Sequence, residues 1–314
     1  LLKPHERARY LLDISTLISR EEDRLAELQT RDTGKCVTET LALVRSAAGT
    51  FRYMAAVLET MEEALTPPRG DYLSMSIHEP LGVVAAITPW NSPIASDAQK
   101  VAPALAAGNA VVVKPAEWSP LVSLELGRIC LEAGLPPGLI SVLPGKGTVV
   151  GEALVRHPDI KKVSFTGGTN TGRHIARLAA EKLMPVSLEL GGKSPTIVFD
   201  DAELDHAIAG VLFGIFSSTG QSCVAGSRLF VAQSIFESFT RTLVERAAKL
   251  RVGHPMDPTT QVAPLISFEH RDRVARYVDL AREEGAVVLC GGDIPRGSEY
   301  DRGAYYLPTI LAGL

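Results

Sequence analysis

Few residues in this sequence combine a reactive side chain with a setting that suits chemistry. Cys223 lies in Gly220-Gln221-Ser222-Cys223-Val224-Ala225-Gly226, a turn of small and polar residues with nothing large enough to seal a thiol. A lone cysteine is ordinarily a buried, inert apolar residue, and that reading fits Cys36, Cys130 and Cys290. Cys223 differs because its neighbours leave a nucleophile accessible. Glu189 ends the apolar run 186–190. A carboxylate there is either badly placed or kept as a base with an environment-tuned pKa. The four cysteines are widely spread, with no C-x-x-C pair and no H-E-x-x-H, which argues against a zinc site and a disulfide framework.

Two glycine-rich stretches follow apolar runs and open helical ones. In Phe165-Thr166-Gly167-Gly168-Thr169-Asn170-Thr171-Gly172 the glycines would let backbone approach a phosphate, and a helix start offers free N–H groups to an anion. The G-x-x-x-x-G spacing begins like a Walker loop, but Arg173-His174 stand where Lys-Ser/Thr is required, which disfavours an NTPase. Gly145-Lys146-Gly147 misses G-x-G-x-x-G because Val150 replaces the third glycine. Taken singly, such turns are structural more often than functional. Lys114 and Glu117, three apart after the run 110–114, are the donor and acceptor a ribose diol would use, or else a solvated pair.

The elements that must hold these residues can be read from periodicity. Apolar residues recur three and four apart over 5–28, and a second helical stretch runs to about 65, ended by Pro67-Pro68-Arg69-Gly70. Residues 72–78 read as a strand with no partner in their own neighbourhood. From 81 onward short β-branched runs (83–88, 110–114, 139–143, 162–166, 186–190, 196–199) alternate with helical stretches (about 95–107, 120–132, 149–155, 170–182). That alternation predicts an α/β fold with a Rossmann-like parallel sheet and crossover helices, binding ligands beyond the carboxyl ends of its strands. Beyond Gly191-Gly192, with Asp200 as the expected cap of a helix from 202, helices near 235–250 and 268–284 and a strand at 287–289 predict a second α/β domain.

Bulk composition narrows the function classes. The chain has 314 residues, 46% apolar and 22% charged, and is neither disordered nor fibrous in composition. Its 32 basic and 36 acidic residues leave a formal charge of −4, so nucleic acid and anionic membrane are not expected partners. The longest apolar runs are strand-sized, far short of a membrane span. The expected setting is cytoplasmic. Leu1 is not an initiator Met and falls inside a helical pattern, so a piece of a longer chain is expected.

Together the motifs are far more specific than singly. Thr88-Pro89-Trp90-Asn91, Lys114-Pro115-Ala116-Glu117, Phe165–Gly172, Leu188-Glu189-Leu190-Gly191-Gly192-Lys193 and Gly220–Arg228 stand in the order of the NAD(P)-dependent aldehyde dehydrogenase superfamily, which the chain resembles over essentially its whole length. The resemblance implies that Cys223 attacks an aldehyde to form a thiohemiacetal and then a thioester, that the Asn91 amide stabilises the oxyanion, and that Glu189 activates the hydrolytic water. It implies NAD in preference to NADP. Lys114 and Glu117 clamp the adenosine ribose, Gly147, Thr166, Gly167, Gly168 and Gly172 border the phosphates, and Thr88, Pro89, Trp90 and Leu190 lie toward the nicotinamide. Relatives often carry Ser where this chain has Gly168.

The resemblance further implies an NAD-binding domain over 1–69 and 80–191, an oligomerisation arm at 70–79, a catalytic domain over 192–314 that is truncated before the family's Glu-x-Phe-Gly-Pro motif, and a homodimer or homotetramer. The spacing of Ser92, Ser96 and Gln99 places them on one helix face. With Ser217 and Ser222 they would make a polar substrate channel suited to a functionalised aldehyde, unless these serines simply face solvent. Two other readings remain: a catalytically inactive structural or binding relative, against which stand Cys223, Glu189 and Asn91 together, and a coenzyme A-acylating enzyme, against which stands Glu189.

Overall fold

A computed structural model describes residues 2–68 and 70–313. Its contacts divide the chain into two units, one of residues 1–28 and 41–189, the other of 29–40 and 190–314.

The first unit opens with helices α1 (Pro4–Arg20), α2 (Glu22–Thr33) and α3 (Val37–Glu59), of which α2 and α3 run on into the segment that packs with the second unit. The single helical pattern expected over 5–28 is broken at Glu21. Strand β1 (Ala64–Leu65) pairs antiparallel with β2 (Met75–Ser76), Ala64 opposite Ser76 and Leu65 opposite Met75. The arm strand therefore has a partner close by in sequence, contrary to expectation. Two residues of β1 are too few to show alternation, and Arg69 of the intervening turn lies outside the described residues.

The sheet is built from β3 (Val83–Ile87), β4 (Ala110–Lys114), β5 (Ile140–Val142), β6 (Ile160–Gly167) and β7 (Val186–Leu190), in the order β5-β4-β3-β6-β7. Pairing is parallel across β5, β4, β3 and β6. The β-branched side chains of Val111 and Val113 explain why 110–114 prefers a pleated, enclosed strand. Helix α4 (Pro93–Ala106) packs on β3 and β4, α5 (Leu121–Glu132) on β5, and α1 on both helices; α6 (Glu152–Arg156) and α7 (Thr169–Ala180) pack on β6 and each other. Pro93 starts α4 with its φ already set and no N–H to satisfy. Gly108 (φ 82°) then turns the chain toward β4, with Pro80 so near that a Cβ would sit 3.0 Å from its ring. The helix expected over 149–155 begins earlier, as a π-helical turn Gly147–Gly151 continued by α6.

In the second unit β8 (Pro195–Val198) pairs in parallel with β9 (Arg228–Val231), and β10 (Val287–Cys290) antiparallel with β11 (Ile310–Ala312), alongside α8 (Leu204–Phe216), α9 (Phe236–Ala247) and α10 (Phe268–Glu283). Glu203, not Asp200, caps α8: its carboxylate accepts the His206 N–H at 3.0 Å. The Asp200 carboxylate instead accepts the Ser234 hydroxyl. Segment 29–40, assigned by sequence to the cofactor domain, packs with this unit. Pro255 O accepts the Val37 N–H at 2.8 Å, and Gly34 (φ 75°) lies against Pro264. These partners lie far away in sequence, so no local pattern announces them.

Among the described residues, no helix is long and apolar enough to cross a membrane, and no cluster of His, Cys, Asp or Glu is arranged to hold a metal ion.

Candidate active-site elements

The carboxyl ends of the parallel strands carry the motif residues of the first unit. Thr88, just past β3, is buried, and its N–H donates to Lys114 O at 3.1 Å, which ties the Thr88-Pro89-Trp90-Asn91 turn to the end of β4. Trp90 and Trp118 lie with ring centroids 6.1 Å apart. Lys114 is nearly enclosed, its Nζ donating to Pro115 O at 3.0 Å; burial lowers its pKa, and the Glu117 charge acts in the opposite sense. Glu117 is exposed, and one of its oxygens accepts the Gly147 N–H at 2.7 Å. Of the two glycine-rich stretches, Gly145-Lys146-Gly147 is the one bonded to that carboxylate.

Close approach explains the glycines. A Cβ on Gly167 would fall 2.5 Å from the buried Phe165 ring, and one on Gly145 2.6 Å from Val150, the residue that replaces the third glycine of the phosphate fingerprint. Gly168 is the N-cap residue of α7 and offers no side-chain cap. Beside these loops lies a cavity of about 610 Å³, lined by Glu117, Lys146, Gly147, Thr148, Asn170 and His174 among others. Thr148, Asn170 and His174 were missed in the sequence. Their signal was present for α7, because Thr171, His174, Ile175 and Leu178 all line the cavity at helical spacing.

Helix α4 holds a second polar group. Ser92 and Ser96 are brought together, hydroxyl to hydroxyl, at 3.1 Å, and Ser96 is buried, whereas Gln99 is exposed on the helix. Asp97, overlooked in the sequence, is fully buried and accepts the Ser123 hydroxyl at 2.5 Å. Burial pushes its pKa up to about 6 against the opposing pull of the Ser123 and Thr88 hydroxyls and the Lys100 charge. Lys100 Nζ donates to Ser164 at 3.1 Å. Its pKa is lowered by burial, while the charges of Glu189 and then Asp97 hold it up. Glu189 itself is exposed near the end of β7.

In the second unit the chain leaves α8 through a turn in which Ser218 (φ 55°, ψ 24°), Thr219 (φ 54°, ψ 37°) and Gly220 (φ 71°) are all left-handed. For residues with a Cβ this costs roughly 1–2 kcal/mol each. Glu39 accepts the Ser218 N–H at 2.6 Å, the Thr219 hydroxyl donates to Ala263 O at 3.1 Å and accepts its N–H at 3.2 Å, and Gln221 accepts the Ile266 N–H at 3.0 Å. Cys223 follows and is exposed, flanked by the half-buried Ser222, with Ser217 half-buried at the start of the turn. A Cβ on Gly192 would touch the Cys223 carbonyl at 3.7 Å, so the Leu190-Gly191-Gly192 stretch runs beside the cysteine loop. The other thiols are different in kind. Cys36 and Cys130 are buried, and burial pushes them up to about 11 and about 12, while Cys290 is half-buried and also raised.

The model of the aldehyde dehydrogenase family matches residues 1–314. The chain belongs to the aldehyde dehydrogenase family. Several solved structures are closely similar to it. HpcC from Thermus thermophilus is 45% identical with a TM-score of 0.97, covering 100% of this chain and 62% of its own. PnpE from Pseudomonas, solved with nicotinamide adenine dinucleotide, is 39% identical at a TM-score of 0.97, with 99% and 64% covered. Betaine aldehyde dehydrogenase from Staphylococcus aureus, solved with NAD+, is 37% identical at 0.96, with 99% and 62% covered. The chain therefore spans a little under two thirds of the length of these three proteins.

Proposed function

We propose that the protein to which this chain belongs oxidises an aldehyde to a carboxylic acid with NAD as hydride acceptor. The observation that carries this reading is the contrast among the thiols: Cys223 alone is exposed, on a loop shaped by three left-handed residues. Its thiolate attacks the aldehyde carbon, and the Asn91 amide donates to the oxygen as that oxygen gains charge. Expulsion of hydride leaves a thioester on Cys223. Glu189 takes a proton from water, which attacks the thioester and releases the acid and the thiol. Lys100 lies near enough to this base for its own pKa to respond to the Glu189 charge.

The residues of the first unit fit the dinucleotide. The cavity of about 610 Å³ has the Glu117 carboxylate at its edge, held by Gly147, and Gly167 keeps side chains out of the phosphate loop. Lys114 and Glu117 orient the ribose, and Glu117 repels a 2′-phosphate, which favours NAD over NADP. NAD supplies the hydride acceptor. Ser92 and Ser96, paired through their hydroxyls, fit a functionalised aldehyde better than a short aliphatic one, with Gln99, Ser217 and Ser222 as further channel candidates. The exposed apolar side chains of the arm, Tyr72, Leu73, Met75 and Ile77, fit burial in a homodimer or homotetramer.

The test is Cys223→Ala in the intact enzyme, which should abolish acid formation while NAD binding, followed by quenching of tryptophan fluorescence, survives. Substantial acid production by that variant would remove Cys223 from the mechanism. Glu189→Gln should keep a burst of NADH and slow its steady state.

A further inference from the structure

The strained turn before Cys223 is held by one charged group, and that group comes from a distant part of the sequence. Glu39, in the first turn of α3, directs one carboxylate oxygen at the Ser218 N–H, 2.6 Å away. The other oxygen makes no hydrogen bond and lies 4.0 Å from Nζ of Lys35, itself buried. Ser218 and Thr219 occupy backbone conformations that residues with a Cβ leave when nothing opposes it. Ala263 holds Thr219 through its hydroxyl, and at Ser218 the Glu39 carboxylate accepts the N–H. Glu39, Phe213, Phe216 and Ser217 border a cavity of about 450 Å³ just before the turn. Beyond the turn, Gln221 is pinned by the Ile266 N–H, so a change of hand at Ser218–Thr219 must be absorbed in the few residues that present the thiol.

We propose that Glu39 is a positioning residue for Cys223: its carboxylate holds the Ser218-Thr219-Gly220 turn left-handed and so sets the direction in which the thiol is offered. This rests on the reading of Cys223 as the nucleophile. Glu39 acts through the backbone. A neutral acceptor at position 39 retains most of the effect, and a residue without an acceptor does not. Glycine at 218 adopts the left-handed form without cost and makes the brace partly dispensable.

The experiment compares Glu39→Ala, Glu39→Gln and the double variant Glu39→Ala/Ser218→Gly in the intact enzyme, with propanal and NAD as substrates. Two rates are read: kcat for acid formation and alkylation of Cys223 by iodoacetamide, located by peptide mass. Glu39→Ala should lower both by roughly tenfold, the loss expected when a charge-assisted hydrogen bond goes, with KM for NAD unchanged. Glu39→Gln should stay within about threefold of the parent, and Ser218→Gly should recover much of the loss. A merely structural Glu39 would not be rescued by a glycine at 218. If Glu39→Ala does not fold, Glu39→Asp, one methylene too short to reach Ser218, takes its place with the same expectation. Parent-like kcat and alkylation in the Ala or Asp variant, or a Gln variant as impaired as Ala without rescue by Ser218→Gly, would overturn the proposal. Acid formation by Cys223→Ala would instead overturn the assignment of the nucleophile, so the two failures are distinct.

Discussion

In the first unit a large apolar cluster runs from Ala8 in α1 through Phe51 in α3 and Leu126 in α5 to Ile140 in β5, and buried apolar residues of α6, β6 and α7, such as Val155, Val163, Phe165 and Ile175, lie beyond it. In the second, apolar residues gather in two smaller groups, one around Phe239 and Leu243, the other around Val278 and Tyr306. Left-handed residues follow the same division. Among the described residues of the first unit they are glycines apart from Leu183, which is exposed, whereas the second places Ser218 and Thr219 in that region just before its exposed cysteine, Cys223. Both units leave large apolar side chains exposed, Tyr53 and Leu131 on helices of the first and Phe199, Phe213 and Phe230 in the second. A cofactor platform gains from a continuous, close-packed interior that holds strand ends at fixed spacing. A nucleophile gains from a local conformation that only its surroundings maintain.

The largest effects should come from the two cores. Phe51→Ala and Phe239→Ala each remove a fully buried ring, at an expected cost of about 3–5 kcal/mol. Phe51→Ala should weaken NAD binding along with stability. Phe239→Ala should lower the thermal midpoint and slow Cys223 alkylation while NAD binding persists. Calorimetry with a cofactor titration checks both, and equal loss of NAD affinity in the two variants would erase the contrast between the units.

A smaller, pH-dependent effect is expected at Asp97. An unfolded aspartate titrates near 3.8 and Asp97 near 6 when folded, so the folded state holds the proton more tightly. Its contribution is therefore most favourable below the lower value, is lost as pH rises through the higher one, and stays lost above it. Asp97→Asn should flatten that part of the melting-temperature profile. An unchanged slope in this interval would mean that Asp97 is charged throughout.

The smallest effect belongs to the surface of the first unit, where Arg128 bonds Glu21, Glu125 and Glu132. The shared carboxylates hold its pKa above the usual arginine value. The guanidinium is nevertheless well exposed, so Arg128→Ala should cost at most about 1 kcal/mol, less in high salt. Chemical denaturation at two salt concentrations measures it.

Much of the arrangement was readable because it is local. Glycines at strand ends and the β-branched run before Lys114 each encode their conformation within a few positions. What was hidden depends on distance or on burial. Asp97 reads as an ordinary polar position on α4, and its burial is eased by the Ser123 hydroxyl contributed by α5, with Thr88 and Lys100 also acting on it. The cap of α8 went to Glu203 rather than Asp200 because the helix begins two residues later than the apolar pattern suggested. Two-residue strands such as β1 leave no periodic trace at all.

The placement of residues 29–40 with the second unit has a consequence for inheritance. Genes for related enzymes exchange segments by crossing over at single points, and a junction near position 190 would look like a natural seam. A chimaera joined there would take Cys223 and its turn from one parent and Lys35 and Glu39 from the other. Such a hybrid works only if both parents keep an acceptor at position 39 that reaches the same backbone N–H. Exchange of the cysteine segment between lineages is therefore constrained by a short stretch encoded far upstream of it.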